Sequence, residues 1–432
     1  MKRLVIISIL MAVLDAHGAV QRFPAPDFES AYRLPQTQTP ASRPDLYEML
    51  DVAVLLCALS VSAWLVLRRR SRQAIFALLL FCLAYFGFWR KGCVCPIGAI
   101  QNVTAALIDP GYVVPLTVVA FFLLPLVFAL LFGRVFCAAV CPLGALQDAV
   151  VIRQTSVPRP VAEALSLLPH LVLGLTILLV VNDGGYLICR LDPFVGFFRR
   201  SGAAGMLIAG GIILVIGTVV ARPYCRFFCP YAVLLGWASL VSRRHATVTP
   251  DECIKCRLCE DACPFGTILP ATDEEAPAER GVGRRAAFHL LLLPVLIAVF
   301  SLAGGLAGRP LSSSNRTVRL AEQIAAQDRG AAEATDESRA FRGGGVSTDD
   351  LYDEAKRIRL GFTRGATVLG AYLGLVIGLK LIALTGTRRR DGYEPDRMNC
   401  LSCGRCFEYC PREHLNRRGG KPISVGAMSE FE

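Results

Sequence analysis

Charge is scarce in this 432-residue chain: Asp, Glu, Lys and Arg make up 19% of it, where soluble globular proteins carry about 25%. Histidine is scarcer still, at five residues. No Cys-x-x-Cys-His occurs, which removes covalent c-type haem. No Gly-rich dinucleotide fingerprint or phosphate loop is present, and no Ser/His/Asp set is assignable. The bond-making chemistries those motifs carry therefore have no candidate residues here. Collagen-like, disordered and disulfide-rich classes fail as well. What the chain has in excess is apolar surface, with 53% hydrophobic residues and a mean hydropathy of +0.47, gathered into long runs. A simple soluble enzyme is excluded by that pattern. In a membrane protein the net charge of +11 reads as basic cytoplasmic loops, not nucleic-acid binding.

A membrane span needs about 20 apolar residues. Seven candidates stand at roughly 51–67, 73–89, 112–132, 164–182, 203–220, 286–303 and 366–385. Residues 1–19 read as a signal peptide or an anchor: Lys2 and Arg3 precede an apolar run, with small residues around Gly18 and Ala19. Residues 20–50 are polar and Pro-rich and read as an exported, extended segment. The run Arg68-Arg69-Arg70-Ser71-Arg72 fixes orientation by placing its loop in the cytoplasm. Alternation then puts 133–163 and 221–285 inside, with 90–111, 183–202 and the soluble segment 304–365 outside. Arg90-Lys91 and Arg199-Arg200 fall outside and run against the rule. The expected divisions are a membrane domain over 51–249, a first ferredoxin half over 250–285, spans at 286–303 and 366–385 flanking the exported loop, and a second half over 386–432.

The strongest motif is Cys253-x-x-Cys256-x-x-Cys259-x-x-x-Cys263-Pro264, which recurs as Cys400-x-x-Cys403-x-x-Cys406-x-x-x-Cys410-Pro411. This is the bacterial ferredoxin spacing, in which three thiolates on a tight loop take three corners of a cubane and a remote fourth completes it. Four thiolates also suit zinc, but paired zinc sites rarely use the triple spacing. In two-cluster ferredoxins the fourth Cys ligates the other cluster. The expected sets are Cys253, Cys256, Cys259 and Cys410, and Cys400, Cys403, Cys406 and Cys263; the alternative is that each motif closes its own. The fold expected is a polytopic α-helical membrane protein carrying a small cytoplasmic α+β ferredoxin-like module with two [4Fe-4S] clusters.

A second repeat follows the spans. Cys137-x-x-x-Cys141-Pro142 and Cys225-x-x-x-Cys229-Pro230 are matched by a shortened Cys93-Val94-Cys95-Pro96, and Cys189 follows the fourth span. Alternation sorts Cys137, Cys141, Cys225 and Cys229 to the inner face, and Cys93, Cys95 and Cys189 to the outer. The inner four could hold a further iron–sulfur cluster; the outer three would need another ligand or hold a different metal centre. The competing reading is small buried residues at Pro-shaped helix ends, with disulfides open to the outer group alone. Cys57 and Cys82 read as core, and His170 and His289 as packing residues that could also ligate haem.

Together these motifs resemble the NosR/NapH family of membrane iron–sulfur proteins, over roughly 50–420. The stretch Asn399-Cys400-Leu401-Ser402-Cys403-Gly404-Arg405-Cys406-Phe407-Glu408-Tyr409-Cys410-Pro411 is especially like the NosR C-terminus. The large exported flavin-binding domain of NosR proteins has no room in residues 20–50, so the resemblance puts any flavin on a partner. Arg364-Gly365-Ala366-Thr367, the string nearest to a flavin-attachment context, reads as helix packing. The function expected is electron transfer across a bacterial inner membrane. The donor would be a cytoplasmic carrier or a quinol, and the acceptor, as the resemblance implies, an exported flavoprotein or periplasmic reductase. Other classes left open are a maturation factor of the copper-reductase type, using Cys93, Cys95 and Cys189, and a redox-sensing regulator.

Overall fold

Inside a bilayer every backbone amide must be satisfied within the chain, so apolar runs of this length fold as helices. The computed structural model describes residues 44–92, 95–155, 157–199, 202–248, 253–272, 282–385 and 390–417. Among the described residues five helices are long and apolar enough to cross a membrane: Asp45–Arg69, Arg72–Trp89, Arg159–Val181, Gly283–Ser312 and Thr348–Thr385. Two of the seven expected spans take another form. The run 112–132 yields a 17-residue helix, Leu116–Phe132. The run 203–220 yields Ala204–Gly217, which follows Pro193–Arg199 across a bend of 104°. The expected signal segment lies outside the described residues. Residues 45–50, expected to be extended, form the start of the first long helix. Residues 348–360, within the segment expected to be a soluble exported loop, form the first part of the 38-residue helix Thr348–Thr385.

The chain divides into two compact units. The first comprises Met1–Glu48, Gly174–Leu191 and Leu291–Leu379. Within it, two helices approach backbone to backbone through small residues. A Cβ on Gly304 would strike the Ala366 carbonyl, one on Gly370 the Phe300 carbonyl, and one on Gly374 would lie 2.6 Å from the Leu296 carbonyl oxygen. Small residues permit this close packing where no hydrophobic drive joins helices. The string Gly365-Ala366-Thr367 sits in this contact, with Thr367 donating to the Thr363 carbonyl at 2.8 Å, so its reading as helix packing holds. Outside the apolar stretch, Val318, Ala321 and Ile324 pack on Leu351 and Ala355.

The second unit comprises Met49–Leu173, Asp192–Leu290 and Lys380–Glu432. Its first two long helices are joined at Arg70, which takes a left-handed φ of 52°. The far end of that hairpin is closed by an ion pair of 2.6 Å between Arg90 and the buried Asp51, to which Tyr85 also donates at 2.8 Å. At the Arg70 end, residues 253–272 and 390–417 come together. Ile268–Leu269 pairs antiparallel with Glu394–Pro395, and the pairing is extended by Asp396 N–H donating to the Thr267 carbonyl at 2.8 Å and Thr272 N–H to the Arg390 carbonyl at 2.9 Å. The two cysteine motifs, separated by about 140 residues in sequence, thus form one body.

Candidate iron–sulfur sites

Both ferredoxin motifs use the same local device. Between the first and second cysteines Lys255 and Ser402 have φ of 53° and 52°, and between the second and third Arg257 and Gly404 have φ of 67° and 84°. Left-handed residues at matching places turn successive cysteines toward one centre. Only Gly404 adopts that conformation without steric cost.

One cavity is lined by Cys253, Cys256, Cys259 and Cys410, with Val248 and Tyr393 closing it. Burial, and after it the neighbouring Cys410, Cys253 and Cys256, push the Cys259 thiol up to about 12. Cys406 is held well above the usual thiol range, by burial and then by Cys400, Cys403 and Cys263. The groupings are those expected if each motif lends its last cysteine to the other. Such thiols are protonated in the metal-free chain, and metal binding must displace their protons. Among the described residues no group of three or more His, Cys, Asp or Glu side chains could hold a single metal ion. A mononuclear zinc site brings its donors within about 2.3 Å of one atom, whereas a cubane takes one thiolate at each of four irons. Four thiolates lining one cavity in the ferredoxin spacing fit such a cluster.

The Cys-x-x-x-Cys-Pro motifs are two copies of one turn. In each, a short helix, Val135–Ala139 or Pro223–Phe227, ends in a bond from the second Cys N–H back to an aromatic carbonyl. Cys141 bonds Phe136 and Cys229 bonds Tyr224, both at 3.0 Å. Each second Cys is then extended, as a residue before proline must be, with Pro142 or Pro230 opening the next helix. Proline suits that first position because its missing N–H would have no partner there. The two copies interlock. Gln147, fully buried, accepts from Tyr224 N–H at 2.9 Å and donates to Cys225 Sγ at 3.2 Å. Cys225 lies in the electrostatic field of Cys141, and Cys225 and Cys137 in that of Cys229.

Cys95 does not stay apart from this group as an outer ligand. It lines the same cavity as Cys141 and the buried Asp192 and is an electrostatic neighbour of Cys229. The physical reason is that the chain after the second long helix turns back, so that Cys95 immediately precedes another Pro-initiated helix, Pro96–Ile108. Cys93 lies outside the described residues, and Cys189 belongs to the first unit, where it is exposed. Cys82 is core, as expected, but Cys57 is exposed on its helix. His170 is buried, edge-on to Trp237 with ring centroids 6.2 Å apart, in keeping with a packing role.

The membrane motifs touch the ferredoxin body directly. Cys137, Cys263 and Cys403 pack against one core of Ala221, Phe265 and Leu401. Around it, Arg134 donates to the Met398 carbonyl at 3.1 Å and approaches Cys137 Sγ at 3.8 Å. Arg70 forms a 2.8 Å ion pair with Glu413, donates to the Thr247 and Val248 carbonyls at 2.8 Å each and lies 4.7 Å over the Phe407 ring. Part of the basic run that served as an orientation signal is thus a clamp on the ferredoxin body. Gln147, Asp192, Arg134 and Arg222 were not marked by the cysteine spacing. The repeated Gly-Ala-Ile-Gln101 and Gly-Ala-Leu-Gln147, and Asp192-Pro193 in the place of Cys-Pro, carried signals for two of them.

Two models described as 4Fe-4S binding domains match the chain. One matches twice, at residues 114–160 and 202–248, over the two Cys-x-x-x-Cys-Pro copies; the other matches 246–269, the first ferredoxin motif. The uncharacterized protein MJ0750 of Methanocaldococcus jannaschii is 30% identical over 191 residues, covering 42% of this chain and 77% of its own. YccM of Escherichia coli K12, named as an electron transport protein, is 28% identical over 188 residues, covering 39% of this chain and 52% of its own. The regulatory protein NosR of Pseudomonas aeruginosa is 27% identical over 249 residues, 51% of this chain and 33% of its own. The chain thus spans about half of YccM and a third of NosR. No solved structure matches. With the apolar helices, the interlocked cysteine motifs and these relatives together, the chain belongs to the NosR/NapH-type family of membrane iron–sulfur proteins.

Proposed function

We propose that this protein conducts electrons through a bacterial inner membrane. Its line of sites starts at the two ferredoxin sets, Cys253, Cys256, Cys259 and Cys410 and then Cys263, Cys400, Cys403 and Cys406. It continues to a membrane site built on Cys137, Cys141, Cys225 and Cys229, with Cys95 at its edge. Iron–sulfur clusters, when bound, accept and release single electrons without bond-making at the protein. The chain's own part is to supply thiolates, keep water out and fix the spacing between sites. The observation that carries this reading is the packing of Cys137, from a membrane motif, on the same small core as Cys263 and Cys403. In this reading the ferredoxin body faces the cytoplasm, on the side of the basic loop at Arg68–Arg72. The donor is a cytoplasmic carrier or a quinol, and the acceptor an exported flavoprotein or reductase.

Iron and sulfide analysis with EPR on anaerobically purified protein tests it. About twelve irons per chain, as three four-iron centres, is the expected result. About eight would leave the ferredoxin pair alone and overturn the membrane site.

A further inference from the structure

Arg222 is the largest fully buried side chain in the described structure, and its charge is not idle. Its guanidinium holds Asp148 by two bonds, Nε to Oδ1 at 2.8 Å and Nη2 to Oδ2 at 2.6 Å. Its remaining terminal nitrogen donates to the Cys137 carbonyl. The side chains are 0% and 4% exposed. Arg222 reaches this position from a left-handed backbone with φ of 46°, a conformation that carries a steric cost for a non-glycine residue.

Asp148 does not end there. Its Oδ2 also lies 3.5 Å from Arg72, and Arg72 donates to the Cys403 carbonyl at 3.0 Å. A continuous path therefore runs from the Cys137 carbonyl through Arg222, Asp148 and Arg72 to the Cys403 carbonyl. It starts at a membrane cysteine and ends at a ferredoxin cysteine. Arg405 adds a third guanidinium to the field at Asp148. Arg222 in turn lies in the field of Cys225 and Cys403. The Cys-Pro fold and the ion pair are both in the second unit, so the path is internal to one body.

Buried charges are costly unless paired, and here Arg222 and Arg72 converge on the one carboxylate of Asp148. Their placement has a use at a redox centre. Each electron added there adds one negative charge, and nearby fixed charge shifts the potential. We propose that Arg222, Asp148 and Arg72 form a charge bridge that sets the reduction potential of the centre held by Cys263, Cys400, Cys403 and Cys406. The arginines favour the reduced form and Asp148 moderates them. All three are positioning residues, acting through the cysteine carbonyls they hold and through their charge, and not as ligands. The inference rests on the reading of those four cysteines as a cluster site.

The test is an EPR-monitored redox titration of the intact protein carrying Asp148→Asn or Arg72→Gln. Removing the carboxylate is expected to raise the midpoint of the second ferredoxin signal, and removing the arginine to lower it. Each change is expected to alter the reduced-to-oxidised ratio about tenfold, which is about 59 mV for a one-electron couple. Arg72→Lys, which keeps the charge, is expected to leave the midpoint near the parent value. A merely structural role would loosen the junction and move both variants in one direction, and that result, or no shift with the signal intact, overturns the bridge. If Asp148→Asn does not fold, the Arg72→Gln and Arg72→Lys pair decides alone. Absence of a second ferredoxin signal in the unaltered protein would instead overturn the cluster reading on which the bridge rests.

Discussion

Gln147 donates a hydrogen bond to the sulfur of Cys225 at 3.2 Å, across 78 residues of chain. The contact joins the two Cys-x-x-x-Cys-Pro copies into one site, because the same amide also accepts from Tyr224 N–H. Hydrogen bonds to a ligand sulfur shift the potential of the centre it holds. Gln147→Leu is expected to move the midpoint of the membrane-site EPR signal downward and leave the ferredoxin signals in place. An unchanged membrane signal would show that Cys225 is not a ligand.

Exchange of the fourth cysteine makes a prediction that distinguishes it from two self-contained motifs. Cys410→Ser is expected to degrade the centre of Cys253, Cys256 and Cys259, and Cys263→Ser that of Cys400, Cys403 and Cys406. Iron counts with EPR on each variant, compared with Cys253→Ser and Cys400→Ser, check the pairing. If Cys263→Ser behaves like Cys253→Ser, each motif closes its own cluster.

Lys255 has φ of 53°, a left-handed conformation in which a Cβ costs about 1 kcal/mol. Lys255→Gly is expected to relieve that cost and slow loss of the first centre to a chelator severalfold. Gly404→Ala, at φ of 84° and with Phe407 2.8 Å from the added Cβ, is expected to hasten loss of the second. Absorbance decay under chelator measures both.

Arg70 anchors the ferredoxin body through Glu413, two carbonyls and the Phe407 ring. Breaking a mostly buried pair by removing one partner costs about 3 kcal/mol. Arg70→Ala is therefore expected to expose residues 390–417 to limited proteolysis while the long helices remain resistant. Equal protection in both proteins would remove the clamp role.

Burial and the neighbouring thiols raise Cys259 to about 12 in the metal-free chain. A thiol whose folded value lies above its unfolded one supports the folded form below the unfolded value, near 8.5, and that support is lost as pH rises toward 12. Cluster-stripped protein is expected to alkylate slowly at Cys259 at pH 8, to react faster as pH rises, and to lose stability above pH 9. Mass spectrometry after timed alkylation, with melting curves over the same range, checks the sign.

The ferredoxin motifs and the apolar runs were legible in the sequence because both are local. Thiolate spacing on a tight loop and about 20 apolar residues in a row are properties of short windows, and the close packing at Gly365-Ala366-Thr367 needed only small side chains. Alternation of spans was less secure. It supposes that each apolar run crosses once, and the chain instead turns back at Pro-initiated helices after Cys95, Cys141 and Cys229. That return carried Cys95 away from an outer group and into the cavity with Cys141 and Asp192.

By itself, then, the sequence marked which cysteines stand in iron–sulfur spacing and which runs are apolar enough to span a bilayer, since both follow from residue type and near spacing. Only the tertiary structure decided which cysteines share a site. It alone laid Arg222, Asp148 and Arg72 between Cys137 and Cys403, because partners 74 to 331 residues apart are chosen by packing and by the need to pair buried charge, which no local pattern encodes.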